Sequence, residues 1–358
     1  MWRAFNTMNF SFSHVAIESI AHILPPIVVT SDEIEQRLGA LYERLHLPFG
    51  RLELMTGIRE RRMWHGATPS SQASTKAARN VLERTSIPSN AIDLLIHTSV
   101  CRDRLEPATA AYVHHNLQLS NHTLFFDLSN ACLGFLNAMT MVASMIEARQ
   151  IRSALIVSGE NGKPLLDHTL ALLQNNTTIT RKTIKSYFAN LTIGSGAVAA
   201  LLCHESLIEN QMKILKIKAV SALSDSSGCT LCQGDMTTDN GLTMQTDSEA
   251  LLKCGIQLAQ NNWQQFLNYT QLSNKNIAHT ICHQVGQRHR SLLYQALELD
   301  LEKDFSTFPF LGNTGSVALP LTLSLATEKN IIHGQTALLG IGSGISSLMM
   351  LLEIISKI

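Results

Sequence analysis

The chain has 358 residues, 45% of them hydrophobic and only 16% charged, with 28 basic side chains balancing 28 acidic ones. That length can build a large core, and a formal net charge of zero argues against an extended nucleic-acid surface, which needs a clustered basic footprint. So low a charge content points to a thick layered fold or a large subunit interface.

The opening stretch MWRAFNTMNFSFSHVAIESIAHILPP lacks the basic region, long apolar core and cleavage site of a secretory leader, so a cytoplasmic protein is expected. Its seven cysteines, Cys101, Cys132, Cys203, Cys229, Cys232, Cys254 and Cys282, should then stay reduced. Ser71–Arg84 has helical spacing with an Ala-rich face. Ile92–Val100 is a continuous apolar run, the mark of a strand covered on both faces. Glu106 precedes Pro107, where a carboxylate commonly pairs with a helix start. His114, His115 and His122 lack the spacing of a ligand cluster.

In FFDLSNACLGFLNAMTMVASM, Leu124–Leu128 reads as a short buried strand and Ser129-Asn130 as a turn with a candidate N-cap. Leu136, Met139, Ala143 and Ile146 then fall on one helical face. Cys132 sits where the apolar strand gives way to the apolar helix. Unpaired N–H groups and the positive dipole end there favour thiolate over thiol. A small core cysteine is the plainer alternative.

Further strand-length runs follow at Ala154–Ser158, Ala197–Cys203, Ile214–Ala222, Ala278–His283, Ala337–Ile341 and Leu348–Ile354. Helical patterns occupy Ser248–Leu267 and Gln287–Leu299, and polar loops Gln174–Thr180 and Ser224–Asn240. This alternation predicts an α/β protein, divided into halves at 1–205 and 206–358. No apolar run is long enough to span a bilayer. The pair Cys229 and Cys232 has no second pair at zinc-site spacing, so two free thiols and no metal are expected.

Three motifs lie at strand or loop ends, where α/β folds place chemistry. They are His283 in HTICHQVGQRH, Asn313 in the tight loop Gly312–Gly315, and Gly342-Ser343-Gly344, whose glycines permit close backbone approach to a ligand. Singly, each has a structural alternative: a satisfied histidine, a turn residue, a hairpin loop.

Together, NACLGF, HQVGQRH, GNTGSVALP and the early TGIRERR (Thr56–Arg62) resemble the β-ketoacyl-ACP synthase III branch of the thiolase-fold condensing enzymes. The resemblance covers nearly the whole chain. Within that branch, IHTSVCRDRLEPATA and Asn161–Asn190 are most similar to OleA-type enzymes. What this implies is a thiolase-like α/β fold, with two similar halves in αβαβα layers, assembled as a homodimer. It further implies Claisen condensation of two fatty acyl-CoA thioesters, without decarboxylation, through an acyl-Cys132 intermediate and with no cofactor beyond the thioester substrate, acyl-CoA or acyl-ACP.

On the same resemblance, His283 and Asn313 would hold the enolate oxygen of the second acyl group. The N–H groups of Cys132 and Ser343 would form the oxyanion hole. Proton removal from an unactivated α-carbon needs a positioned base, and Glu106, reaching into the partner's site, matches the glutamate that OleA-type enzymes use. Arg59, Arg61 and Arg62 are candidates for CoA phosphates or for structural ion pairs. Met55 and Ile34 stand where decarboxylating synthases carry CoA-contacting Arg and Trp, so those contacts do not transfer. The competing readings are a synthase III that decarboxylates malonyl-ACP, acyl transfer to an oxygen or nitrogen acceptor, and a catalytically silent scaffold subunit. The joint presence of Cys132, His283 and Asn313 argues against the last. Fold alone separates none of them.

Overall fold

The computed structural model describes residues 8–209, 213–235 and 242–356. The first seven residues and residues 236–240 of the Ser224–Asn240 loop lie outside that range. The chain opens with β1 (Met8–Ser11) and β2 (Val15–Ile23). An excursion follows through β3 (Ile27–Thr30), α1 (Ser31–Arg37), α2 (Gly39–Arg44), α3 (Arg51–Thr56) and β4 (Glu60–Met63). The first half continues with α4 (Ser70–Leu82), β5 (Leu94–His97), α5 (Thr109–Leu117), β6 (Leu124–Asp127), α6 (Gly134–Glu147), β7 (Ser153–Glu160), α7 (Lys163–Asn175) and β8 (Gly196–His204). The second half holds β9 (Lys213–Ser224), β10 (Cys232–Asp235), β11 (Thr243–Thr246), α8 (Ser248–Thr270), β12 (His279–Cys282) and α9 (Gln287–Leu297). It ends with α10 (Phe308–Leu311), α11 (Ala318–Glu328), β13 (Gly334–Gly342) and β14 (Ser346–Ser356).

Among the described residues a 10-stranded sheet runs β12-β13-β14-β9-β2-β8-β7-β5-β6, with β1 paired to β9. Its halves meet through a short β2–β9 contact at Ala16–Lys216 and Ile17–Leu215. The order β6-β5-β7-β8-β2 recurs as β12-β13-β14-β9, and a single bridge from Asp304 to Thr280 stands where a counterpart of β6 would lie. No such repeat is visible along the sequence, because it resides in strand order and not in matching residues.

Side-chain alternation along the strands sorts the core into layers. Leu94, Ile96, Ile156 and Ala200 face a central layer with Leu338, Met350 and Leu352, and between them pack α6 (Phe135, Met139, Val142) and α11 (Leu319, Leu321, Leu323). The alternate residues Leu95, Leu155, Val157 and Ala199 meet α4 through Ala73, Ala77 and Val81. On the far side Leu339, Met349 and Leu351 meet Trp263 and Phe266 of α8 and Leu293 of α9. The stacking is therefore helix, sheet, helix, sheet, helix, and continuous apolar runs result because most strands are covered twice. One strand departs from expectation. β6 lies at the sheet edge, and Leu124 and Phe125 are 59% and 39% exposed.

Candidate active site

β5, β6 and β7 run parallel in one half and β12 and β13 in the other, and Glu106, Cys132, His283 and Ser343 follow the C-terminal ends of β5, β6, β12 and β13. After β6 the chain turns sharply, with Ala131 left-handed at φ 44°. Such a conformation costs on the order of 1–3 kcal/mol in a non-glycine residue and persists only when its surroundings fix it. Here Leu133 N donates to Asn130 O at 2.9 Å, and Gly134 opens α6. Cys132 is thus carried on the turn, two residues before the helix. Asn130 does not cap α6. Its side-chain amide donates to Asn137 Oδ1 at 2.8 Å, and Leu133 occupies the cap position without a side-chain bond.

The surroundings of Cys132 work against the expected thiolate. Burial, then the facing Glu160 and Cys232, push the Cys132 thiol up to about 12, although its own backbone N–H pulls the other way. Desolvation of the charged form outweighs the helix end. These surroundings favour the thiol.

His283 directly follows β12 and is 4% exposed, its N–H bonded to Leu339 O at 3.0 Å. Burial, with a smaller contribution from His289, lowers its pKa to about 3. The imidazole is therefore neutral at pH 7 and has one N–H to donate. Asn313 is clamped by backbone: its N–H donates to Thr192 O at 2.9 Å and its carbonyl accepts from Gly194 N at 2.8 Å. Its side-chain oxygen accepts from Gly315 N at 3.1 Å, which leaves the NH2 as the outward donor end. Close packing ties these segments to the Cys132 turn. A Cβ on Gly134 would sit 3.3 Å from Ser316 Oγ, and one on Gly342 would sit 3.0 Å from Leu133 Cγ. Ser343 stands in the turn between β13 and β14, so the hairpin reading of Gly342–Gly344 and its nearness to Cys132 hold together.

Glu106 is exposed on the β5–α5 loop, next to Leu105, which is 79% exposed. It does not cap α5. That role falls to Asp127, whose carboxylate accepts from Thr109 N and Ala110 N, both at 2.8 Å. Of the three arginines, Arg61 is fully buried and donates to Val29 O, Ser31 Oγ and Leu191 O. Both terminal nitrogens are held by these structural partners and the side chain is enclosed, so a phosphate role does not fit it; Arg59 is exposed and Arg62 half-buried. Thr56–Arg62 instead braces the Asn313 loop, with Arg59 N donating to Pro309 O at 2.9 Å.

Sequence reading missed Glu160, which ends β7 beside Cys132 and is 4% exposed. The available signal was a carboxylate three residues past the apolar run Ala154–Val157. Among the described residues no group of three or more His, Cys, Asp or Glu side chains is arranged to hold a metal ion, and no helix is long and apolar enough to cross a membrane.

Comparison with known proteins adds an independent line. Residues 126–222 match the 3-oxoacyl-[acyl-carrier-protein] synthase III family, and residues 267–354 match the C-terminal family of the same synthases. The chain is 36% identical over 345 residues to an acyl-CoA:acyl-CoA alkyltransferase of Shewanella oneidensis, covering 95% of this chain and 98% of that one. It is 34% identical to the Xanthomonas campestris protein of the same name, over 94% and 98% of the two chains. A β-ketoacyl-ACP synthase III of Aliarcobacter butzleri is 26% identical, over 91% and 93%. Among solved structures, a cysteine-to-serine variant of Xanthomonas campestris OleA with bound lauric acid and lauroyl-CoA superposes with a TM-score of 0.90 at 33% identity, covering 96% and 99%.

Proposed function

The chain belongs to the 3-oxoacyl-ACP synthase III family of thiolase-like condensing enzymes, and from that premise we propose that it joins two fatty acyl-CoA thioesters head to head without decarboxylation. Cys132 attacks the first thioester. A carbon–sulfur bond to Cys132 forms, the bond to CoA breaks, and the thiol proton leaves with the CoA sulfur. The N–H groups of Cys132 and Ser343 hold the oxyanion of that step. The second acyl-CoA presents its thioester oxygen to His283 and Asn313, the neutral imidazole through its N–H and the amide through its NH2. Glu106 of the partner subunit takes the α-proton, the enolate carbon attacks the acyl group on Cys132, and the sulfur departs and is reprotonated. The product is a β-ketoacyl thioester or the acid formed from it.

The observation that favours this over decarboxylation is Glu106. Loss of carbon dioxide supplies a carbanion without a strong base, whereas an unactivated α-carbon needs one. Asp127 has taken the helix-capping role that would otherwise explain a carboxylate at this place, and Glu106 stands on a projecting loop. The homodimer reading is supported by the edge position of β6 and the exposed Val100, Leu105, Leu124 and Phe125 around it. We read 1–205 as the half carrying the nucleophile and 206–358 as the half carrying His283 and Asn313.

The test is incubation of the protein with a long-chain acyl-CoA and nothing else. A β-ketoacyl product, or the ketone left when it decarboxylates, is expected by mass spectrometry, along with one acyl adduct on the Cys132 peptide. Cys132→Ala abolishes both and Cys282→Ala neither. Product formed only when malonyl-ACP is added would reject the head-to-head reaction.

A further inference from the structure

We propose that Glu160 is a positioning residue that fixes the Glu106 loop and the Asn313 loop together against the Cys132 turn. The inference rests on the head-to-head reading, which assigns those loops their parts. Glu160 is the last residue of β7, and its backbone carbonyl is held by Trp64 Nε1 at 2.9 Å. One carboxylate oxygen accepts from Val100 N at 2.8 Å and from Ser316 N at 3.2 Å, and the other accepts from Cys101 N at 3.1 Å. Val100 and Cys101 are the stem of the loop that projects Glu106. Ser316 lies three residues past Asn313 and packs on Gly134, beside the nucleophile turn. Gly315, at φ 59°, lets that loop close on the carboxylate, since a Cβ there would come within 3.1 Å of Oε1. In the proposed dimer the Glu106 loop serves the partner's site while the Asn313 loop serves its own. Glu160 is where the two sites of a dimer grip one group.

A carboxylate suits this better than an amide of the same shape. It is acceptor-only, so two oxygens can meet three N–H donors, whereas a glutamine would turn an NH2 against one of them. Burial raises the Glu160 pKa, and the backbone donors work against that rise by favouring the charged form. The same charge faces Cys132, together with Cys232 from β10, and both raise the thiol.

The test uses the full-length protein with Glu160→Gln and Glu160→Asp, reading three quantities. These are acyl-enzyme formation by intact mass, condensation from the acylated enzyme, and the pH profile of Cys132 alkylation by iodoacetamide. Glu160→Gln is expected to acylate at least as fast as wild type but to condense about 10²-fold more slowly, the effect of a displacement near 1 Å at reacting groups. Its alkylation profile moves to lower pH, because a like charge has gone. Glu160→Asp keeps the charge and so the wild-type profile, yet condenses slowly because one methylene fewer cannot reach all three donors; if the Gln variant does not fold, this one carries the condensation arm. Wild-type condensation by a folded variant, an unmoved Gln profile, or acylation and condensation falling in parallel each overturn the proposal. Failure of the wild-type protein to condense acyl-CoA would reject the function instead, and the alkylation arm would still read Glu160.

Discussion

At the scale of single residues, burial sets the protonation states on which the proposed chemistry depends. Asn313 is assigned to the enolate oxygen, and loss of one such donor costs about 10²–10³ in rate. Asn313→Ala is therefore expected to accumulate acyl-enzyme in a single-turnover experiment while condensation slows by that factor. If acylation vanishes in the folded variant, the residue acts earlier. A second prediction concerns His289, 9% exposed on the first turn of α9, whose pKa burial lowers to about 4. The unfolded chain takes up this proton near 6.5 and the folded chain only near 4. Stability is thus fully present above pH 6.5 and is lost as pH falls toward 4, by about 1.4 kcal/mol per pH unit from this one group. Urea titrations between pH 7 and 4.5 should show a shallower loss in His289→Gln than in the wild type by that slope. Parallel curves would mean that His289 is protonated alike in both states.

At the scale of elements, two carboxylates pin the loop that carries Glu106. Glu160 grips its stem, and Asp127 caps α5 at its far end, with His97 Nδ1 3.8 Å from Asp127 Oδ1. Between these anchors Arg104–Pro107 stays exposed, as the proposed role of Glu106 in another subunit's site requires. Removal of the cap by Asp127→Ala is expected to cost about 1–2 kcal/mol in denaturant titration. It should slow condensation more than acylation, because the loosened loop bears the proposed base and not the nucleophile. Equal losses in both steps would show that the cap serves stability alone.

At the scale of the whole molecule, the base and the nucleophile are proposed to come from different subunits. Cys132→Ala homodimers lack the nucleophile, and Glu106→Ala homodimers acylate but do not condense. In a mixed dimer, one site combines Cys132 of one chain with Glu106 of the other, while the second site lacks both. Co-expression should therefore restore roughly a quarter of wild-type condensation when chains pair at random about a two-fold axis. Verified mixed dimers that stay inactive would place the glutamate in its own subunit's site or remove it from the reaction. A Glu106→Ala homodimer that still condensed would remove it outright.

Much of this was legible in the residues. Apolar runs of strand length located β5 to β9 and β12 to β14, most of them because a strand covered on both faces must be apolar throughout; β6, at the sheet edge, is apolar without that cover. β2 escaped, since Glu18 and His22 interrupt its run; His22 Nδ1 lies 2.9 Å from Ser324 Oγ on α11 and 3.9 Å from Glu328 Oε2. Cys132, His283, Asn313 and Ser343 were legible because strand ends and glycine turns leave local marks. Three things were decided only by the tertiary structure. Arg61 reads as a phosphate ligand until it is seen enclosed by its own chain's carbonyls. The resting state of Cys132 depends on burial and on Glu160, 28 residues away in sequence. The part played by Glu160 itself comes from backbone N–H groups at Val100, Cys101 and Ser316, donors that every non-proline residue carries and that no sequence pattern can point toward a particular carboxylate.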